Sequence, residues 1–174
     1  MDVRRHRGFT LIELLVTATI AIILLLLATP LYGVWVADNE VRNGAESVAS
    51  GLRYAQAAAI SHNANAQFVM GGTGWNVAMV DTPLVVLQTG SFTEGSADRA
   101  TYVAVDATSV PATTVAFNAL GQVIPNATNL ARVDVSMSTG SRVWRVLVGA
   151  GRTGVKLCDP DPKWVFPDPI ACPP

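Results

Sequence analysis

At 174 residues, half of them hydrophobic and only 14% charged, the chain holds enough apolar material for one core and excludes a second full domain. Its formal charge of −1 excludes a bulk polycation. A short basic leader, Met1 to Gly8, carries Arg4, Arg5 and Arg7. An apolar segment follows, free of charged residues from Leu14 to Leu31 and long enough to span roughly 30 Å of hydrocarbon as a helix. Glu13 stands at its start, and a carboxylate at membrane depth costs on the order of 2.5–3.5 kcal/mol, so it needs a partner.

Cutting the chain after Gly8 creates that partner, because Phe9 then carries a free α-amine four residues before Glu13. The Arg-rich leader, Gly8, Phe9-Thr10-Leu11-Ile12-Glu13 and a helix containing Pro30 resemble the class III signal of type IV prepilins and pseudopilins. The resemblance implies cleavage between Gly8 and Phe9 by prepilin peptidase, with methylation of the new amine. It makes Glu13 the assembly glutamate and Pro30 the point where the helix is loosened in a filament. An ordinary secretory signal has a shorter apolar region with its small-residue cut site behind it, whereas here Gly-Phe-Thr comes first.

Losing the leader removes Arg4, Arg5, Arg7 and Asp2, which takes 12 basic and 13 acidic side chains to nine and twelve, a charge of −3. The leader arginines stay cytoplasmic by the positive-inside rule, so the rest is expected in the periplasm, single-pass in the bacterial inner membrane and then at the cell surface after assembly. The expected organisation is a cleaved leader 1–8, a long helix 9–62 (membrane or filament-core part 9–36, amphipathic part 37–62) and a β-rich domain 63–174. Val41, Ala45, Val48, Leu52, Ala55 and Ala59 recur at three- and four-residue steps and continue the helix beyond the membrane. From Phe9 to about Ser61 it would run roughly 80 Å, so its second half must pack on the exported domain. Pro30 and Gly33 are the expected points of kinking, and the small residues from Ala55 to Ala59, including Ala57 and Ala58, suit close approach to a sheet.

Short β segments follow. Ala66–Met70, Trp75–Val80 and Leu84–Thr89 read as a meander bounded by Gly71-Gly72, Asp81-Thr82-Pro83 and Gly90. Thr89 to Ala100 reads as an exposed loop. Tyr102–Val105, Thr114–Phe117, Arg132–Met137, Val143–Val148 and Val155–Leu157 are further strands, with Val133, Val135 and Met137 alternating against Asp134 and Ser136 as in a sheet with one wet face. One long helix before a run of strands predicts an α+β fold: the helix packed on a C-terminal antiparallel sheet or β-sandwich.

Phe117-Asn118-Ala119-Leu120-Gly121 resembles the Phe-x-x-x-Gly turn of the GspH/FimT group. Gly151-Arg152-Thr153-Gly154-Val155-Lys156-Leu157-Cys158-Asp159-Pro160 resembles the closing strand of FimT/FimU-type minor pilins. Membership implies a minor subunit that primes or caps a pilus, with other minor pilins, the major pilin and the inner-membrane assembly platform as partners. An alternative is a type II secretion pseudopilin of the GspH kind. Cys158 and Cys172 lie in the exported part, where a disulfide persists, and closing that proline-rich loop stabilises by about 3 kcal/mol.

DNA capture is the other alternative, because some FimT proteins bind DNA through Gly-Arg-x-Arg. Here Arg152 matches, Gly154 stands for the second arginine, and Arg142, Arg145 and Lys156 complete a local cluster with no acid between them. An enzyme is not expected: HExxH, Gly-x-Ser-x-Gly and a phosphate loop are all missing, and no cofactor is called for. A metal site is not expected either, since His6 and His62 lie far from the cysteines. Asp159 and Asp161 read as turn formers before proline, with calcium as the lesser reading, and Trp75, Trp144 and Trp164 as packing residues.

Overall fold

A computed structural model of the protein describes residues 9–80, 84–92, 99–126, 128–149, 154–165 and 167–173, apart from the side chains at 27–31. The leader with Gly8, the Asp81-Thr82-Pro83 turn, Arg152 and the side chain of Pro30 lie outside the described residues.

One helix, α1 (Leu11–His62), fills the first third of the chain. It starts where Thr10, in an extended conformation, accepts the backbone N–H of Glu13 on its side chain. It stops at Asn63, whose left-handed φ of 49° lets Asn63 N–H bond to Ile60 O and Ala64 N–H to Ala59 O, satisfying carbonyls the last turn leaves over. The stripe Val41, Ala45, Val48, Leu52, Ala55 and Ala59 is fully buried. Ala57, expected to help a sheet approach, is exposed on the far side.

Eight strands follow among the described residues: β1 (Ala66–Met70), β2 (Gly74–Met79), β3 (Val85–Ser91), β4 (Thr101–Val105), β5 (Thr114–Phe117), β6 (Arg132–Ser136), β7 (Trp144–Val148) and β8 (Val155–Cys158). They form two antiparallel sheets of four, ordered β3-β2-β1-β5 and β4-β6-β7-β8. The architecture is α+β as expected, and the meander of the first three strands is present. β5 returns beside β1, pairing Thr114 with Val69, while β4 before it joins the other sheet.

The second half of α1 lies against both sheets, so one core serves all three layers. Phe68, Val77, Val115 and Phe117 reach it from one sheet, and Val133, Val135 and Val146 from the other. Gly51 is what lets the helix sit this close. A Cβ there would come within 2.8 Å of the Trp75 ring and 2.9 Å of Phe68. Alanine gains about 1 kcal/mol in helix propensity, but overpacking against two buried rings costs roughly 1–3 kcal/mol, so Gly51→Ala is expected to destabilise. Urea unfolding checks the sign, and a raised midpoint would show that the rings yield.

The stretch expected as an exposed loop, Thr89 to Ala100, is tied down at both ends. β3 runs to Ser91, and Phe92 is buried with its ring stacked 4.0 Å from that of Tyr102. Burial pushes the Tyr102 hydroxyl up to about 12. At the far end, Arg99 donates to both carboxylate oxygens of Glu40 at 3.0 and 3.3 Å.

Candidate assembly surface

The two halves of α1 live in different surroundings. Beyond Ala37 the apolar stripe is sealed in the core, whereas from Phe9 to Leu26 every described side chain is exposed, Leu11 at 84%. These bare positions cover all faces of the helix, since Leu14, Leu15 and Val16, then Ile22, Ile23, Leu24 and Leu25, follow one another around it. A helix apolar all round calls for an apolar environment on every side. Among the described residues no helix is long and apolar enough to cross a membrane.

Glu13 sits in the first turn of this bare half, exposed among exposed apolar neighbours. Thr10-Leu11-Ile12-Glu13 also has the spacing of a capping box, in which a glutamate or glutamine reaches back to the cap residue. Phe9, whose amine the cleavage would free, precedes the cap and stands outside the helix.

The Phe-x-x-x-Gly segment has a physical task. Asn118 Oδ1 accepts the N–H groups of Leu120 and Gln122, while Gly121, at φ 72°, closes the turn with its N–H on Asn118 O. The turn is pinned to the helix by Gln56 Nε2, which donates to Gly121 O at 2.8 Å. Gly154, at φ 75°, packs against the same glutamine, so a Cβ there would lie 2.8 Å from its Oε1. The two motif segments therefore meet at one residue of the helix.

Two of the described cations of the expected cluster are engaged within the fold. Arg145 is held on β7 by Asp134 of β6, with Nε 2.6 Å from Oδ1 and Nη2 3.0 Å from Oδ2. Lys156 donates to the carbonyl of Ala171 at 3.0 Å. Arg142 lies on the turn before β7, beside the helix. No acid lies between these residues in sequence, yet Asp134 neutralises Arg145 from across the ladder.

Cys158 and Cys172 form the expected disulfide, and Asp159 N–H donates to Ile170 O, laying the tail back along β8. Asp159 and Asp161 act as turn formers: Asp159 Oδ1 accepts Asp161 N–H, and Asp161 pairs with Lys163 at 2.7 Å. The Lys163 hydrogen bonds hold Asp161 below the usual carboxylate range. Trp75 and Trp144 are buried, as packing residues should be, and Trp164 is half-buried.

Two acids of α1 carry more than their sequence positions announced. Glu40 is buried beside the packed stripe, and its place three residues after Ala37 was the available signal. Asp38 accepts Ser141 N–H, the Ser141 hydroxyl and Arg142 N–H at 2.8, 2.8 and 3.1 Å, fastening the β6–β7 turn to the helix.

A long helix, half packed on a two-sheet domain and half bare, preceded by a methylation-type signal, defines a type IV pilin-like subunit. The prokaryotic N-terminal methylation motif matches residues 3–29, and the profile of the Type II transport protein GspH matches residues 44–154. The chain belongs to the GspH family. Among solved structures, the crystal structure of the Pseudomonas aeruginosa type IV minor pilin FimU is similar, at 19% identity and a TM-score of 0.49, covering 69% of this chain and 89% of that one. No curated protein matches the sequence.

Proposed function

We propose that this chain is a minor subunit of a type IV pilus-like filament, held in the inner membrane by α1 with its β domain in the periplasm, and then transferred into the filament. The bare first half of α1 is the observation that supports this most. Its apolar side chains find in a bundle of neighbouring helices what they find in lipid, so the anchor becomes part of a filament core. Glu13 and the Phe9 amine pair to set the register, and Pro30 marks where the helix loosens. Prepilin peptidase processes the chain, which then joins other minor pilins, the major pilin and the assembly platform to prime or cap the filament.

The profile match favours a second reading, a minor pseudopilin of a type II secretion system. Crosslinking in the native cell separates the two by the partner recovered, pilins or pseudopilins. DNA capture has less support, because Arg145 pairs with Asp134 and Lys156 donates to the Ala171 carbonyl.

Processing is tested by the intact mass of the membrane-extracted protein. The expected product starts at Phe9 and carries one added methyl group. A chain still starting at Met1 in cells with an active prepilin peptidase would refute the processing.

A further inference from the structure

The junction between the bare and packed halves of α1 carries a group of exposed aromatic and charged side chains. Tyr32 and Trp35 are 66% and 62% exposed, and their rings lie 6.0 Å apart. Trp35 also lines a surface groove with Asp38, Asn39, Arg42, Arg142 and Trp144. The groove joins helix to domain through Asp38, whose carboxylate is filled by Ser141 and Arg142 donors, and through Arg42, which lies 5.4 Å over the Trp144 ring and pairs with Glu46. Asp38 is thus already satisfied. The Arg142 side chain is exposed and makes no salt bridge among the described residues, though it lines a neighbouring groove with Asp159 and Asp161.

The level along the helix identifies what meets this surface. At 1.5 Å per residue, Tyr32 and Trp35 lie about 35 and 39 Å beyond Phe9, where the membrane part of the helix begins, and Asp38 only about 5 Å further. Roughly 30 Å is the thickness of a bilayer's hydrocarbon. The aromatic pair therefore falls at the level where tryptophan and tyrosine favour the headgroup boundary, and Arg142 falls where a cation meets lipid phosphate.

We propose that Tyr32, Trp35 and Arg142 form a collar that seats the β domain directly on the phospholipid headgroups of the periplasmic leaflet. Because Asp38 fastens the Arg142 turn to the helix, the collar fixes the domain's height and tilt before assembly. The proposal rests on the membrane insertion of α1 put forward above.

The test uses the full-length protein in vesicles of phosphatidylethanolamine and phosphatidylglycerol, with nitroxide labels placed either shallow or deep on the acyl chains. The contribution of Trp35 is the difference in fluorescence between the unaltered protein and Trp35→Phe. Shallow labels are expected to quench it at least about twofold more than deep ones, and Arg142→Glu, which sets an acid against phosphate, to reduce that preference. Near-UV circular dichroism confirms that the variants stay folded. Vesicle flotation with Trp35 insensitive to both labels, or quenched equally, overturns the collar while leaving the anchor intact. An unchanged preference in Arg142→Glu overturns the phosphate contact, and a covering by neighbouring subunits is then the remaining use of the surface. A chain that does not float with vesicles refutes the insertion itself, and the collar with it.

Discussion

Replacing Glu13 by alanine is expected to leave membrane insertion intact and to reduce incorporation into filaments by more than about tenfold. The two halves of the expectation come from the same charge. An unpaired carboxylate at membrane depth costs on the order of 2.5–3.5 kcal/mol, so its removal does not hinder insertion. Pairing with a Phe9 amine recovers that cost, and losing even half of it at each subunit addition corresponds to about a tenfold change. Glu13 also occupies the last position of a capping box begun by Thr10, whose side chain holds the Glu13 N–H at 3.3 Å. Glu13→Gln separates the two roles, because glutamine caps a helix as well as glutamate does but carries no charge. Subunit counts in sheared filaments, normalised to membrane levels, are the measurement. Glutamine behaving like alanine supports the charge; glutamine behaving like the unaltered protein leaves Glu13 as a helix cap and removes its part in register.

The packed stripe of α1 was legible because a period of 3.6 residues is local: Val41, Ala45, Val48, Leu52, Ala55 and Ala59 all face the core. Strand limits were legible for the same reason, with alternation and flanking glycine or proline placing all eight within a residue or two. Partition into two sheets was not, because it depends on pairings such as Thr114 with Val69, where nothing local selects the neighbour. The Arg99 pair with Glu40 spans 59 positions, and the buried Phe92 sits in a segment whose glycines and serines read as loop. Sequence also hid what the cations of the basic cluster meet. Counting acids along the sequence between Arg142 and Lys156 overlooks Asp134, which faces Arg145 only once β6 and β7 pair. What sequence placed well was the N-terminal signal, a run of consecutive residues that the methylation motif matches over 3–29.

Cys172→Ser is expected to cost about 3 kcal/mol, the loop-closure value for a bridge spanning about fifteen residues. For a domain of this size that lowers the melting temperature by roughly 10 °C. Cys172 is the better site to change, because Cys158 is fully buried and a serine hydroxyl there would add a desolvation cost of its own. The disulfide does more than shorten the unfolded chain. It holds the tail where Asp159 N–H reaches Ile170 O at 2.8 Å and Lys156 reaches Ala171 O at 3.0 Å. Lys156→Ala alone should cost about 1 kcal/mol, the usual worth of such a bond. If the bridge is what keeps the tail on β8, Lys156 has no carbonyl to meet once Cys172 is gone. The double variant should then be no less stable than Cys172→Ser, a coupling of about 1 kcal/mol. Full additivity in urea unfolding would show instead that the tail stays docked through its backbone hydrogen bonds, leaving the disulfide to act on the unfolded state alone.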